Sequence, residues 1–374
     1  MRPESEPGER GGHKGPRRAR KGQPPAVTAA GAGIIDDRRA PTTTLAGWRQ
    51  FVQDDPVTLR LLPEPEWAAL DDASRGEYDE ARIRYHSQLI VVETSIVREV
   101  IRQGRLLCLL NQREVCARRG LIVSGPAATG KSTAIKQLGR AHELLVRSRY
   151  PGADRIPVVY VTAPPKGSPK KLATQFAHFL GMPPFKSRAN EMDIATAVCE
   201  VLTEARTDLV VVDEIHNMNL ATTAGEDLSD HLKYFTEHLP ATFVFAGIDV
   251  ESSGLFTGVR GQQIAARCVM TRTATFPYRD EWRSMVALME QALRLHRHEP
   301  GSLAAQARYL HQRTGGLISS LSHIVRAAAI CAIAEGSEQV TRDLLDGIVV
   351  DHATMSAAPK PPLPRQAAGE RRGA

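Results

Sequence analysis

The run Gly125, Pro126, Ala127, Ala128, Thr129, Gly130, Lys131, Ser132, Thr133 constrains this chain more than any other stretch. It fits G-x-x-x-x-G-K-S/T, follows the β-rich run LIVS at 121–124, and leads into the helical pattern STAIKQLGRAHELL. A glycine at each end lets the backbone curl until several N–H groups and a helix N-terminus converge on one place, which is a cradle for phosphate. Lys131 adds a mobile positive charge that reaches β- and γ-phosphates, Ser132 supplies a hydroxyl for Mg²⁺, and Thr133 continues the first helical turn. The expected ligand is ATP with Mg²⁺. A glycine-rich turn with an incidental lysine is the competing reading, and the flanking strand and helix weigh against it.

The neighbouring pattern is α/β. Short β-rich runs at LIVS, VVYVT (158–162), LVVVD (209–213) and TFVFAG (242–247) alternate with helix-length segments, which predicts a parallel sheet covered by helices. The third run ends in Asp213 and Glu214, at the sheet edge where such folds bind ligands. Asp213 is suited to hold Mg²⁺ through its water shell, and Glu214 to orient and deprotonate an attacking water. TFVFAG is expected beside that strand, ending at Gly247, Ile248 and Asp249. Asp249 reads equally as a group facing the γ-phosphate or as a loop cap.

Basic and polar residues downstream leave alternatives open. Arg260 and Arg267, in VRGQQIAARCVMTR, follow the last expected core element and are either solvated or an arginine finger reaching a neighbour's site. Lys166, Lys170 and Lys171, with Lys186 and Arg188, fit a salt-sensitive phosphate-backbone track, or simply solvated loops. His216 fits a strand-end hydrogen bond as well as it fits phosphate sensing.

Composition sets the frame for these sites. At 374 residues the chain exceeds what one core usually organises. Helical spacing over 42–113 predicts an N-terminal extension, 114–278 the phosphate-loop α/β domain, and 279–354 a helical lid. The basic arm 1–41 and the tail 355–374, rich in Gly, Pro and charge, are expected to stay disordered. With 42% hydrophobic and 24% charged residues, and no apolar run of the roughly 20 residues that a spanning helix needs, no membrane partner is expected. The basic N-terminus leads into no signal-like apolar stretch, so a cytoplasmic location is expected. Five scattered cysteines without C-x-x-C spacing suggest neither a zinc site nor a disulfide framework. A formal net charge of +6 permits a polyanionic partner without requiring one.

Taken together, GPAATGKST, VVVDEIHNM, the QQIAARC segment and the lid start TGGLISSLSHIVRAAAICAI resemble the TniB/TnsC family of AAA+ ATPases, regulators of DNA transposition encoded beside a DDE-type transposase. The resemblance runs from about Thr42 to Ala353, and the string Asp213 to Asn217 is more distinctive of the group than the phosphate loop. It implies a homo-oligomer, a ring or helical filament, of ATP-bound subunits assembled head to tail on duplex DNA. It also implies recruitment or activation of a DDE transposase, a target-selector protein as a further partner, and disassembly on hydrolysis. By the same resemblance Arg267 matches the arginine that reaches a neighbour's ATP, and Lys166–Lys171 a DNA-facing position. Two departures stand out: Ile248 replaces a small polar residue, and Ser319-Ser320 replaces the arginine that commonly opens the lid helix, so slow turnover is implied. Two other readings remain: a different AAA+ role, such as a helicase loader or secretion-linked ATPase, or an ATP-gated adaptor with negligible hydrolysis.

Overall fold

The computed structural model describes residues 39–350 except 56–57, 89–90, 187, 219–231 and 253–257, and gives the backbone alone for 258–260. The expectations for the basic arm up to Arg38, the tail and the Arg260 side chain lie outside the described residues. Residues 39–41, expected to be disordered with the arm, are instead placed, the Thr44 N–H donating to Pro41 O at 3.0 Å and Arg39 pairing with Asp54 at 2.7 Å.

Five parallel strands form one sheet in the order β2-β3-β4-β1-β5: β1 (Gly120–Ser124), β2 (Val158–Thr162), β3 (Leu209–Asp213), β4 (Thr242–Gly247) and β5 (Cys268–Arg272). β1, β3 and β4 are buried along their whole length, which explains why they read as unbroken apolar runs: helices cover both faces of the sheet. β4 lies between β1 and β3 with Gly247 in register with Ser124, so the segments after all three strands emerge at one edge.

β5 corrects the sequence reading. The segment VRGQQIAARCVMTR does not follow the last core element: a helix at Gly258–Arg267 (α8 below) leads into a strand that pairs with β1 at the sheet margin. Pairing on one side only leaves Cys268, Val269 and Met270 partly exposed, so the strand lacks the apolar continuity that marks its neighbours.

Among the described residues four helices precede the sheet: α1 (Leu45–Gln53), α2 (Glu64–Ala68), α3 (Asp72–Ser87) and α4 (Ser95–Asn111). Thr94 caps α4 by accepting from the Val97 N–H, and α4 lies against α5 (Lys131–Arg149). The two helices approach closely at Gly104, where a Cβ would stand 2.3 Å from Leu138 Cδ2. α6 (Pro169–Phe179), α7 (Glu191–Glu204) and α8 complete the sheet layer.

Beyond it, α9 (Asp280–Gln291), α10 (Ser302–Ala305), α11 (Ala307–Thr314), α12 (Ile318–Ala334) and α13 (Arg342–Gly347) enclose a second core around Trp282, Leu310, Leu321 and Ile324. α3 is clamped to this second core by a buried bidentate pair, Arg82 Nη1 and Nη2 to Glu338 at 2.6 and 2.7 Å. Among the described residues no single helix is long and apolar enough to cross a membrane. Of the cysteines, Cys116 is exposed and the others are buried or half-buried, and burial pushes the Cys108 and Cys199 thiols up to about 11 and 12.

Candidate nucleotide site

The loop after β1 has the backbone its glycines predict. Gly125 has φ 148°, Ala128 62° and Gly130 90°. A Cβ at Gly125 would stand 2.2 Å from the Thr273 carbonyl oxygen, so only glycine fits there. α5 starts with no side-chain cap at Gly130, leaving its first N–H groups free for an anion. Thr129 pins the loop: its hydroxyl donates to Pro126 O at 2.8 Å and shares a 2.7 Å hydrogen bond with Thr273 Oγ1.

Lys131 is buried and folded back onto the loop, donating from Nζ to Gly125 O (2.9 Å) and Pro126 O (2.6 Å). Burial pulls its pKa down, opposed by the charges of Glu214, Asp213 and Asp249 in that order. Three carboxylates from the ends of β3 and β4 therefore lie within electrostatic reach of the loop lysine. Ser132 and Thr133 are half-buried on the first turn of α5.

Asp213 is buried and held from two sides, with Tyr160 Oη donating to Oδ2 at 2.7 Å and the Glu214 N–H to Oδ1 at 2.8 Å. Burial first, then the Asp213 charge, pushes the Tyr160 hydroxyl far above its ordinary range, so it stays protonated and donates to Asp213. Trp48 of α1 stacks on Tyr160 with ring centroids 5.7 Å apart, and its own indole N–H donates to Glu143.

Glu214 sits at φ 55°, a left-handed conformation uncommon outside glycine, which turns its carboxylate out of the sheet. That carboxylate lies 3.4 Å from His216 Nε2. His216 Nδ1 accepts from the Ile248 N–H at 3.1 Å, so the ring carries its proton on Nε2, facing Glu214. Asn217 donates to Ala163 O at 3.3 Å, and its carbonyl receives the Gly167 N–H at 3.5 Å, tying the turn after Glu214 to the segment that bears Lys166. Asp249 is exposed at φ 40°.

Other expected residues lie elsewhere. Arg267 precedes Cys268, which is in register with Gly120 at the start of β1, whereas the phosphate loop follows the other end of that strand. A five-residue strand spans roughly 13 Å at about 3.3 Å per residue, so Arg267 stands at the sheet edge opposite its own chain's loop. Lys166, Lys170, Lys171, Lys186 and Arg188 are all exposed. Lys170 and Lys171 occupy the first turn of α6, capped by Ser168, rather than a loop.

Several groups escape a sequence reading. Ser124 donates its hydroxyl to Glu251 while accepting from the Val250 N–H at 3.0 Å, and Glu251 also takes Arg272 Nε at 3.1 Å. Beside the loop lies a mainly apolar cavity of about 280 Å³, walled by Val91, Val92 and Ile96 on one side and Ile318, Ser319 and Ser322 of α12 on the other. Ser319 Oγ donates to Ala128 O at 3.2 Å, so the helix opening with two serines still touches the loop. Arg326 borders the same cavity, but its guanidinium is engaged by the carbonyls of His86 and Ser87.

Among the described residues no cluster of three or more His, Cys, Asp or Glu could hold a metal by itself. The polar groups present suit Mg²⁺ bound jointly with a phosphate, one hydroxyl at Ser132 and one carboxylate at Asp213, with water completing the shell.

The bacterial TniB protein family matches residues 82–270, just over half of the chain. The chain belongs to the TniB family. Comparison with curated proteins gives no match. Among solved structures, this TniB-family chain resembles the Aeropyrum pernix ORC2 protein in its ADP form, with a TM-score of 0.55 and 18% identity over 70% of each chain. It also resembles the ORC1 protein of the same organism in complex with DNA, with a TM-score of 0.52, 15% identity, and coverage of 73% of this chain and 66% of that one. The fold is that of the AAA+ ATPases.

Proposed function

We propose that this TniB-family protein binds and hydrolyses ATP with Mg²⁺, and acts as a regulator of DNA transposition that assembles on duplex DNA and recruits or activates a DDE transposase. The observation that carries the reading is the convergence of Lys131, Asp213 and Glu214 at one sheet edge, with the lysine's charge coupled to both carboxylates. Gly125, Pro126, Ala127, Ala128, Thr129 and Gly130 cradle the β-phosphate with backbone N–H groups. Lys131 exchanges its two loop carbonyls for β- and γ-phosphate oxygens, and Thr133 extends the cradle into α5.

Ser132 and Asp213 hold Mg²⁺, which when bound neutralises phosphate charge. Glu214 orients a water in line with the γ-phosphate and takes its proton. The adenine base enters the apolar cavity between Val91–Val92 and α12.

Arg267 is too far from its own loop to act there, which supports action in trans on a neighbour's ATP within a ring or helical filament. The exposed lysines at Lys166–Lys171 face duplex DNA, and a target-selector protein is a further partner. The likeness to an ORC1–DNA complex and an ADP-bound ORC2 supports the DNA and nucleotide parts. In this reading 114–278 is the ATPase domain, 42–113 its helical extension and 279–354 the lid.

The test is ATP hydrolysis with and without duplex DNA, for the wild type and Glu214→Gln. Stimulation by DNA in the wild type is expected, together with retained ATP-dependent assembly and a roughly hundred-fold loss of turnover in the variant. Absence of both stimulation and ATP-dependent assembly on DNA overturns the reading.

A further inference from the structure

A second surface, at the sheet edge opposite the phosphate loop, has the makings of a binding site. The C-terminal halves of α4 and α5 meet there, and six of the twelve exposed large apolar side chains among the described residues cluster on them: Leu106, Leu109, Leu110, Leu144, Leu145 and Tyr150. Leu109, Leu145 and Tyr150 line one cavity there, and exposed apolar side chains gathered in this way mark a contact surface. Leu106, Leu109 and Leu110 form their own stripe on α4, apart from the stripe at Val97, Val100, Gly104, Leu107 and Cys108 that faces the core.

Between the two helices opens a cavity of about 270 Å³ lined by Arg105, Arg118, Arg149 and Arg155, with Asp208 as its one acidic residue. None of the four guanidiniums makes a hydrogen bond or ion pair among the described residues. Arg155 and Arg149 instead flank the Tyr150 ring at 4.0 and 5.7 Å. Two buried nitrogens in the lining make no hydrogen bond: Arg118 Nε, and His142 Nε2, which faces the Asp208 carboxylate at 3.5 Å. Past Tyr150 the groove continues into a second cavity of about 350 Å³ bordered by Arg49, Asp154 and Arg147, the last paired with Glu143. Clustered, uncompensated guanidiniums with unsatisfied donors are built for carboxylates or phosphates, and leucines beside them for an apolar neighbour.

We propose that this face docks a short acidic segment of a partner protein, in which Asp or Glu alternates with leucine or aromatic side chains. Its carboxylates pair with Arg105, Arg118 and Arg155, and its apolar side chains cover the α4–α5 leucines and Tyr150. Charge argues against the chain's own ends as occupants, because 1–38 and 351–374 are both net positive. It also disfavours duplex DNA, whose phosphates would meet a wall of leucines rather than an exposed line of cations.

The test is selection of random twelve-residue peptides displayed on phage against the full chain, followed by anisotropy titration of the enriched peptides. Enrichment of sequences combining several acidic residues with leucine or aromatics is expected. Binding should weaken about ten-fold or more in Arg105→Glu/Arg155→Glu, and comparably in Leu109→Ser/Leu145→Ser, with melting temperatures near wild type. No enrichment, enrichment without acidic bias, or binding that survives the charge reversal overturns the proposal. So does a labelled DNA duplex that competes with the peptide and is lost in the same variants, which would make the face a nucleic-acid track. Concentration-dependent self-association of the wild type, abolished by the leucine changes, would make it a homotypic interface and equally overturn it.

Discussion

Tyr160, on β2, donates its hydroxyl to the buried carboxylate of Asp213, on β3, at 2.7 Å, and the pair stands on the indole of Trp48 from the N-terminal extension. Each Asp213 oxygen accepts one donor, Tyr160 Oη at Oδ2 and the Glu214 N–H at Oδ1, and these bonds aim the lone pairs left for a cation. Tyr160→Phe leaves Asp213 Oδ2 buried without its donor. We expect the Mg²⁺ concentration for half-maximal hydrolysis to rise about ten-fold while the fold persists. Magnesium titration of the ATPase rate checks this, and an unchanged midpoint removes Tyr160 from the site.

If Glu214 is the base proposed above, His216 is placed to orient it rather than to touch phosphate, because its Nδ1 accepts the Ile248 N–H and its Nε2 faces the carboxylate. His216→Ala therefore leaves nucleotide affinity nearly unchanged and lowers kcat roughly ten-fold, part of the 10²–10⁴ that a positioned base contributes. Separate measurement of nucleotide Kd and kcat distinguishes this from a phosphate contact, which would weaken binding as well.

How much of this was legible beforehand depends on whether the signal is local. The phosphate loop and Asp213-Glu214 are contiguous strings whose spacing carries their geometry, so both could be placed from the residues alone. TFVFAG is expected beside LVVVD and does pair with it, because both are fully buried parallel strands. By contrast, Thr273 reaches Gly125 and Thr129 only because β5 pairs with β1, and β5 is a half-exposed edge strand without a strong apolar run. The Tyr160–Asp213 contact depends on register between strands 53 positions apart, and the cavity beside the loop on packing of α12 against residues 91–97. Such relations arise from tertiary pairing, which no local pattern encodes.

The position of Arg267 carries a prediction about assembly. If it acts on a neighbour's ATP, Arg267→Ala and Glu214→Gln are each inactive alone, yet their mixture contains interfaces that combine an intact glutamate with an intact arginine. Random mixing in equal amounts restores about a quarter of wild-type sites. Recovery of ATPase on mixing is the expected outcome, and two variants that stay inactive together argue for action within one chain or none.

The Arg82–Glu338 pair is buried at both ends and joined further by Asp79. Burial alone would raise the Glu338 pKa, but hydrogen bonding from Arg82 and the His296 N–H takes it below the usual carboxylate range. Removing Glu338 leaves the buried Arg82 with only the partly exposed Asp79 as a counter-charge. Glu338→Ala should cost about 3–5 kcal/mol, whereas Arg82→Met with Glu338→Leu should recover much of that loss. Chemical denaturation of the single and double variants decides it; a double variant no more stable than the singles contradicts the account.

His86 sets a pH dependence whose direction can be worked out. Its ring is buried on α3, accepts the Arg294 N–H at Nε2 (3.2 Å), and faces Arg294, Arg82 and Arg326, with only Glu338 opposing them. Burial first, then those arginines, push its pKa from 6.5 down to about 4. The folded state therefore holds a neutral ring while the unfolded chain takes up a proton below 6.5. The stability associated with His86 is fully present above that value and is lost as pH falls toward 4, at up to about 1.4 kcal/mol per pH unit. Carboxylates begin to titrate only nearer the ordinary values of about 4–4.5, so the interval from pH 6.5 to 5 isolates the histidines. His296, also pushed down by burial and by Arg82, adds to the same slope. His86→Gln keeps an acceptor for Arg294 without a titrating ring and should flatten the slope without abolishing it. Unfolding free energies of wild type and variant across that interval provide the measurement, and parallel curves would show that His86 is protonated to the same extent in both states.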